Sequence, residues 1–109
     1  MIPIQYALRR RMMGSNTRKW TLEITSVANL ASVSIDGNNL EAGTYVVDDG
    51  TIVHFEADGI LSSIKVNGKN VSSGALGVPA KYDLELHSNC TAVGTKDSMG
   101  GSWTITTQQ

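Results

Sequence analysis

Thr-Ile-Val-His-Phe-Glu-Ala-Asp-Gly-Ile-Leu-Ser-Ser-Ile-Lys-Val, residues 51–66, decides the fold class. Val53, Phe55 and Ala57 alternate with Ile52, His54 and Glu56, the period of two that gathers apolar side chains on one face of a strand. Asp58-Gly59 follows at once and suits a two-residue turn with positive φ. A second strand over residues 60–66 is therefore expected to fold back as a hairpin. Asn67-Gly68 closes that strand in the same way.

The same grammar extends in both directions. Trp20, Leu22 and Ile24 alternate with Thr21, Glu23 and Thr25. Val33 and Ile35 alternate with Ser32 and Ser34 up to Asp36-Gly37, and Tyr45-Val46-Val47 ends at Asp48-Asp49-Gly50. Beyond a Gly-rich loop at residues 72–77 and a break at Pro79, Ala80, Tyr82, Leu84 and Leu86 alternate with Lys81, Asp83, Glu85 and His87. A strand begins near Cys90, residues 94–101 read as a mobile tip, and Trp103 and Ile105 mark a last strand. Trp20 and Trp103 both fall at inward positions. About eight short strands with regular turn signals predict a mainly β chain folded as an antiparallel β-sandwich. The domain is expected over residues 19–109, after an arm at residues 1–18.

Residues 32–43 and 63–74 echo one another at an offset of 31 positions, sharing Ser, Gly, Asn and a final Gly. Each reads as a strand, a tight turn and a short return strand. Common turn chemistry suffices to produce the echo, and two copies are too few for a solenoid.

The arm differs from everything after it. Ile-Pro-Ile-Gln-Tyr-Ala-Leu-Arg-Arg-Arg-Met-Met, residues 2–13, carries Ile4, Ala7, Leu8 and Met12 at helical spacings, with Tyr6, Arg9, Arg10 and Met13 elsewhere on the wheel. Pro3 suits a first helical turn, the arginines suit the negative end of the helix dipole, and Gly14 suits a stop. A short basic N-terminal helix is expected. At about 11 residues it is marginal alone in water and needs a surface to dock on. Ile4, Tyr6, Leu8, Arg9, Arg10, Arg11 and Met12 are the candidate subunit-binding residues. Full burial of Ile4, Leu8 and Met12 contributes about 5–8 kcal/mol before ordering costs.

Charge sharpens this contrast. The net charge of −1 divides into +5 over residues 1–19 (Arg9, Arg10, Arg11, Arg18, Lys19, no acid) and −6 over the remainder (four lysines, ten acids). A basic arm on an acidic body calls for an acidic neighbouring surface or a polyanion. Three successive arginines without interleaved exposed aromatics make a poor nucleic-acid platform.

No nucleophile–base or phosphate-loop signature is present, and no catalytic residue or cofactor is expected. His54 with Glu56, and His87 with Glu85, lie two apart on strands. Four such ligands converge on a metal only if the strands are neighbours. Solvated polar faces are the simpler reading, so no metal is expected. Cys90 is a lone cysteine and forms no intrachain disulfide. Loop carboxylates lack calcium-loop spacing, and no apolar run is long enough for a membrane helix. A secretory signal puts positive charge before a long apolar core, whereas Arg9, Arg10 and Arg11 come after only a few mixed residues, so no such signal is expected. A glycan-binding module using residues 94–101 is the main alternative to an assembly protein.

The opening Ile-Pro-Ile-Gln-Tyr-Ala-Leu-Arg-Arg-Arg-Met-Met resembles the start of short structural proteins of tailed phages and prophages. The β region looks like the immunoglobulin-like modules that decorate phage heads, tails and fibres, although the Cys–Trp–Cys arrangement of immunoglobulins is absent. The resemblance implies a non-enzymatic virion component, assembled in the bacterial host cytoplasm. Its partners are then other virion subunits, copies of itself included, with a host-surface glycan as a further partner.

Overall fold

The computed structural model describes residues 18–108, and the helix expected over residues 2–13 lies outside them. Ten strands follow in chain order: β1 (Lys19–Ser26), β2 (Ala31–Ile35), β3 (Asn38–Asn39), β4 (Gly43–Asp48), β5 (Ile52–Ala57), β6 (Ser62–Val66), β7 (Lys69–Gly74), β8 (Ala80–Glu85), β9 (Cys90–Lys96) and β10 (Gly101–Thr107). They form a six-stranded sheet in the order β4-β1-β9-β10-β6-β7 and a four-stranded sheet in the order β3-β2-β5-β8. The sandwich expected from the alternation is present, with ten strands among the described residues rather than about eight. It is also not wholly antiparallel. β1 runs parallel to β9 and β6 parallel to β10. Period two reports which face of a strand is buried, but not the direction of the strand beside it.

The inward faces close on one core. Leu22, Ile24, Ile64, Ala92, Trp103 and Ile105 come from the larger sheet, and Val33, Val53, Phe55, Ala57 and Leu84 from the smaller. Trp103 is its centre. Its ring meets Phe55 edge to face at 5.0 Å and 66°, a favoured aromatic geometry. Its indole N–H crosses the sandwich to the carbonyls of Ser32 at 3.1 Å and Glu56 at 3.0 Å. Gly94, opposite Trp103 on β9, leaves room for the ring, since a Cβ there would stand 2.9 Å from it. Trp20 departs from expectation. It is half-buried at the rim, and its indole N–H donates to Asp49. Alternation gives the face of β1 correctly, but β1 reaches the end of the sandwich at this residue.

The hairpin expected at Asp58-Gly59 does not form. β5 pairs with β2 and β8, while β6 pairs with β7 and β10, so residues 58–61 cross from one sheet to the other. Two residues with positive φ are needed for the type I′ turn, and of this pair only Gly59 has one. Gly59 instead allows two backbones to meet. A Cβ on it would lie 2.3 Å from the Gly100 Cα. Asp58 N–H donates to the Leu30 carbonyl, and the Asp58 carbonyl accepts from Gly101 N–H, both at 2.8 Å. At the other two sites the turn is as expected. Asp36 and Gly37 have φ of 52° and 80°, and Asn67 and Gly68 have 54° and 82°, joining β2 to β3 and β6 to β7. The echoed segments therefore share one turn geometry while lying in different sheets, and β3 is far shorter than β7.

Candidate functional site

The sandwich has two unlike ends. The chain enters at the first, where Asp49 N–H donates to the Arg18 carbonyl at 2.8 Å. Lys19 reaches across the β1–β4 pair to Asp48 at 2.6 Å. The Trp20 indole donates to Asp49 Oδ1 at 2.8 Å, and that oxygen faces His87 Nδ1 at 3.0 Å. His87 Nε2 meets Glu85 at 3.1 Å. The result is a polar chain of Trp20, Asp49, His87 and Glu85. The indole N–H, followed by His87, holds the Asp49 carboxyl below its usual range. Asp49, more than Glu85, pushes the exposed His87 imidazole up. A carboxylate at each ring nitrogen favours the form that carries both protons.

A second such group lies on the outer face of the four-stranded sheet. Period two puts His54 and Glu56 on one face of β5, and the register brings Asp83 of β8 directly opposite His54. His54 Nδ1 meets Asp83 at 2.6 Å and Nε2 meets Glu56 at 2.7 Å. Asp83 first, then Glu56, raises the His54 pKa against a smaller opposing effect of burial.

β5 and β8 are neighbours, the condition set for a shared metal site, although β8 ends at Glu85 and His87, expected on that strand, lies beyond the paired residues. Each imidazole nevertheless has both ring nitrogens engaged by its own pair of carboxylates. Among the described residues no group of three or more His, Cys, Asp or Glu is placed to hold a metal ion. Cys90 is buried beneath this end, and burial pushes its thiol up to about 11. At neutral pH it stays a thiol and is a poor nucleophile.

The far end is apolar. Here β9 runs on to Lys96, and the expected mobile tip shrinks to a turn at residues 97–100. The Asp97 carboxylate closes that turn by accepting from the N–H groups of Met99 at 2.8 Å and Gly100 at 3.1 Å. Leu61 N–H donates to the Met99 carbonyl at 3.0 Å, tying the sheet crossing to this turn. β7 ends at Gly74, opposite Ser62, and Ala75 and Val78 bond each other across the turn that leads to β8. The expected loop at residues 72–77 is largely strand and turn. These three segments expose Ile60, Leu61, Leu76, Val78 and Met99, between 47% and 79% accessible. They make up most of the large exposed apolar side chains among the described residues.

The expected subunit-binding residues, Ile4, Tyr6, Leu8, Arg9, Arg10, Arg11 and Met12, lie outside the described residues. The glycan-binding expectation for residues 94–101 meets a short, closed turn at residues 97–100. The apolar end has no counterpart in the sequence reading. Its one visible signal is isolated large apolar residues inside turn-rich stretches, such as Leu76 between Ala75 and Gly77. No helix among the described residues is long and apolar enough to cross a membrane. No protein-family model matches the chain, and no curated protein or solved structure matches it either.

Proposed function

We propose that this protein is a non-enzymatic structural subunit of a phage virion, an immunoglobulin-like module of a head decoration, fibre or tail accessory. It assembles with other virion subunits, copies of itself among them, through its basic N-terminal arm. One observation carries the reading. Residues 18–108 close a core around Trp103 and Phe55, while the arginine-rich residues 1–17 precede that closed unit. An amphipathic basic stretch beside a closed unit of net charge −4 (ten acids against Arg18 and five lysines) has the composition of an assembly contact. The location that follows is the virion, built in the host cytoplasm.

The test compares the full chain with a chain lacking residues 1–14, by light scattering over a concentration series. The full chain is expected to grow in mass with concentration, while the shortened chain stays monomeric and melts at the same temperature. Equal association of the two chains would remove the arm from the account.

A second reading, a glycan-binding module, is favoured by Trp20. Its half-buried ring sits beside the Asp49 carboxylate, which in turn faces His87, an aromatic surface with hydrogen-bonding groups next to it. A glycan array separates the readings. Binding lost on Trp20→Ala, with assembly unchanged, belongs to this one.

A further inference from the structure

We propose that the apolar end of the sandwich is the docking surface for the N-terminal arm of a second copy of this chain, so that copies join head to tail. The inference rests on the arm being the assembly element and names the surface it meets.

Four observations converge on that surface. Ile60, Leu61, Leu76, Val78 and Met99 stand exposed on three segments tied to one another by backbone hydrogen bonds and strand pairing. Clustered exposure of this kind marks an interaction site, whereas scattered apolar residues do not. The arm brings the matching chemistry in its sequence, with Ile4, Leu8 and Met12 spaced four apart and Arg9, Arg10 and Arg11 between the last two. Charge also fits, because Asp58 and Asp97 are exposed at this end and Lys96 is the one cation in the same segments. The competing acidic surface is the outer face of the smaller sheet. Its carboxylates at Glu56, Asp83 and Glu85 are paired with His54 and His87, whose charged forms offset them, whereas Asp97 is held by the neutral N–H groups of Met99 and Gly100.

Position makes the partner a second copy. The chain enters at Arg18, beside Asp49, while the apolar end lies at the other end of β1, whose eight residues span about 26 Å. Fully extended, residues 14–17 would reach about 13 Å. At a helical rise of about 1.5 Å per residue beyond them, Met12 would stand about 16 Å and Leu8 about 22 Å from Arg18, with only Ile4 at about 28 Å, so Ile4, Leu8 and Met12 could not seat together on the far end of their own sandwich. The arm of a neighbouring copy has no such limit. A contact between unlike surfaces builds rings or filaments, or closes as a two-fold pair where two copies exchange arms.

The test uses full-length chains and sedimentation velocity. Leu61→Glu and Leu76→Glu are placed at the apolar end, and Leu8→Glu in the arm. Leu61 and Leu76 are 64% and 79% exposed, so both end variants are expected to keep the parent melting temperature. Each of the three is expected to weaken association on the order of 100-fold. The decisive step is an equimolar mixture of Leu61→Glu with Leu8→Glu. One carries an intact arm and the other an intact apolar end, so the mixture is expected to form two-chain complexes and nothing larger. If both end variants assemble like the parent while Leu8→Glu does not, the docking surface is wrong and the arm reading survives. If Leu8→Glu assembles like the parent, both fail. A mixture that stays monomeric contradicts the head-to-tail contact.

Discussion

The two ends of the sandwich are built by different physics. The end at Arg18 is held by side chains, through Lys19 on Asp48 and through Trp20, Asp49, His87 and Glu85. The apolar end is held mainly by backbone, with the Asp97 carboxylate closing the turn at residues 97–100. There Gly59 and Gly100 pack Cα against Cα, and Gly101 sits so close to Leu30 that a Cβ would stand 2.6 Å from the Leu30 carbonyl oxygen. One consequence is a division of labour. Polar side chains at the first end serve the fold and respond to pH. At the second end glycines serve the fold, which leaves Leu61, Leu76 and Met99 exposed for another partner.

The comparison breaks most visibly at Gly59. Gly59→Val adds a side chain to a residue at φ 129° with a backbone atom 2.3 Å from its Cβ. The expected loss is about 3 kcal/mol or more, read as a lowered midpoint in denaturant. A variant as stable as the parent would mean that the sheets do not cross there. Gly94→Val comes next. It drives a side chain into Trp103 and the Ser26 carbonyl, and the expected loss is about 1–3 kcal/mol.

At the first end, Asp48→Asn leaves the partly buried Lys19 ammonium with a neutral partner. Thermal melts are expected to show a loss of about 1 kcal/mol. By contrast Leu61→Glu is expected to change stability by less than about 0.5 kcal/mol.

The smallest effect sharpens the contrast through pH. His54 and His87 both titrate above their ordinary 6.5 in the folded chain. Folding therefore favours their charged forms. That stability is complete below pH 6.5 and fades as the pH rises through the folded values. Asp49 runs oppositely, since its lowered pKa gives stability above 3.8 that is lost as the pH falls through its folded value. Calorimetry from about pH 6 to about pH 8 is expected to show a falling melting temperature, flattened in a His54→Gln, His87→Gln variant. NMR titration of the two imidazoles gives the sign directly.

Much of this was legible in the sequence, and the failures are specific. Alternation places Leu22, Ile24, Val53, Phe55, Ala57, Leu84, Trp103 and Ile105 on buried faces. Asp36-Gly37 and Asn67-Gly68 form the expected turns, yet Asp58-Gly59 does not, although the dipeptide is equivalent. The difference lies in partners distant in sequence, Leu30, Gly100 and Gly101, which no local signal at residues 58–59 reveals. The same limit hides the apolar end. Leu61, Leu76 and Met99 read singly as loop residues until the strand order brings their segments together. Charge division needs no fold, which is why the arm stands out from sequence alone.

The most direct measurement asks which end of the sandwich the arm touches. A spin label on Gln5→Cys is placed in the Leu61→Glu chain, where Cys90 is buried and its high pKa keeps it unreactive. The labelled chain is mixed with a nitrogen-15 copy carrying Leu8→Glu. Amide signals of the nitrogen-15 copy are expected to broaden at Ile60, Leu61, Leu76 and Met99, with those of Asp49 and Gly50 unchanged. Broadening at Asp49 and Gly50, or on the His54 face, with the apolar end unaffected, would contradict the account.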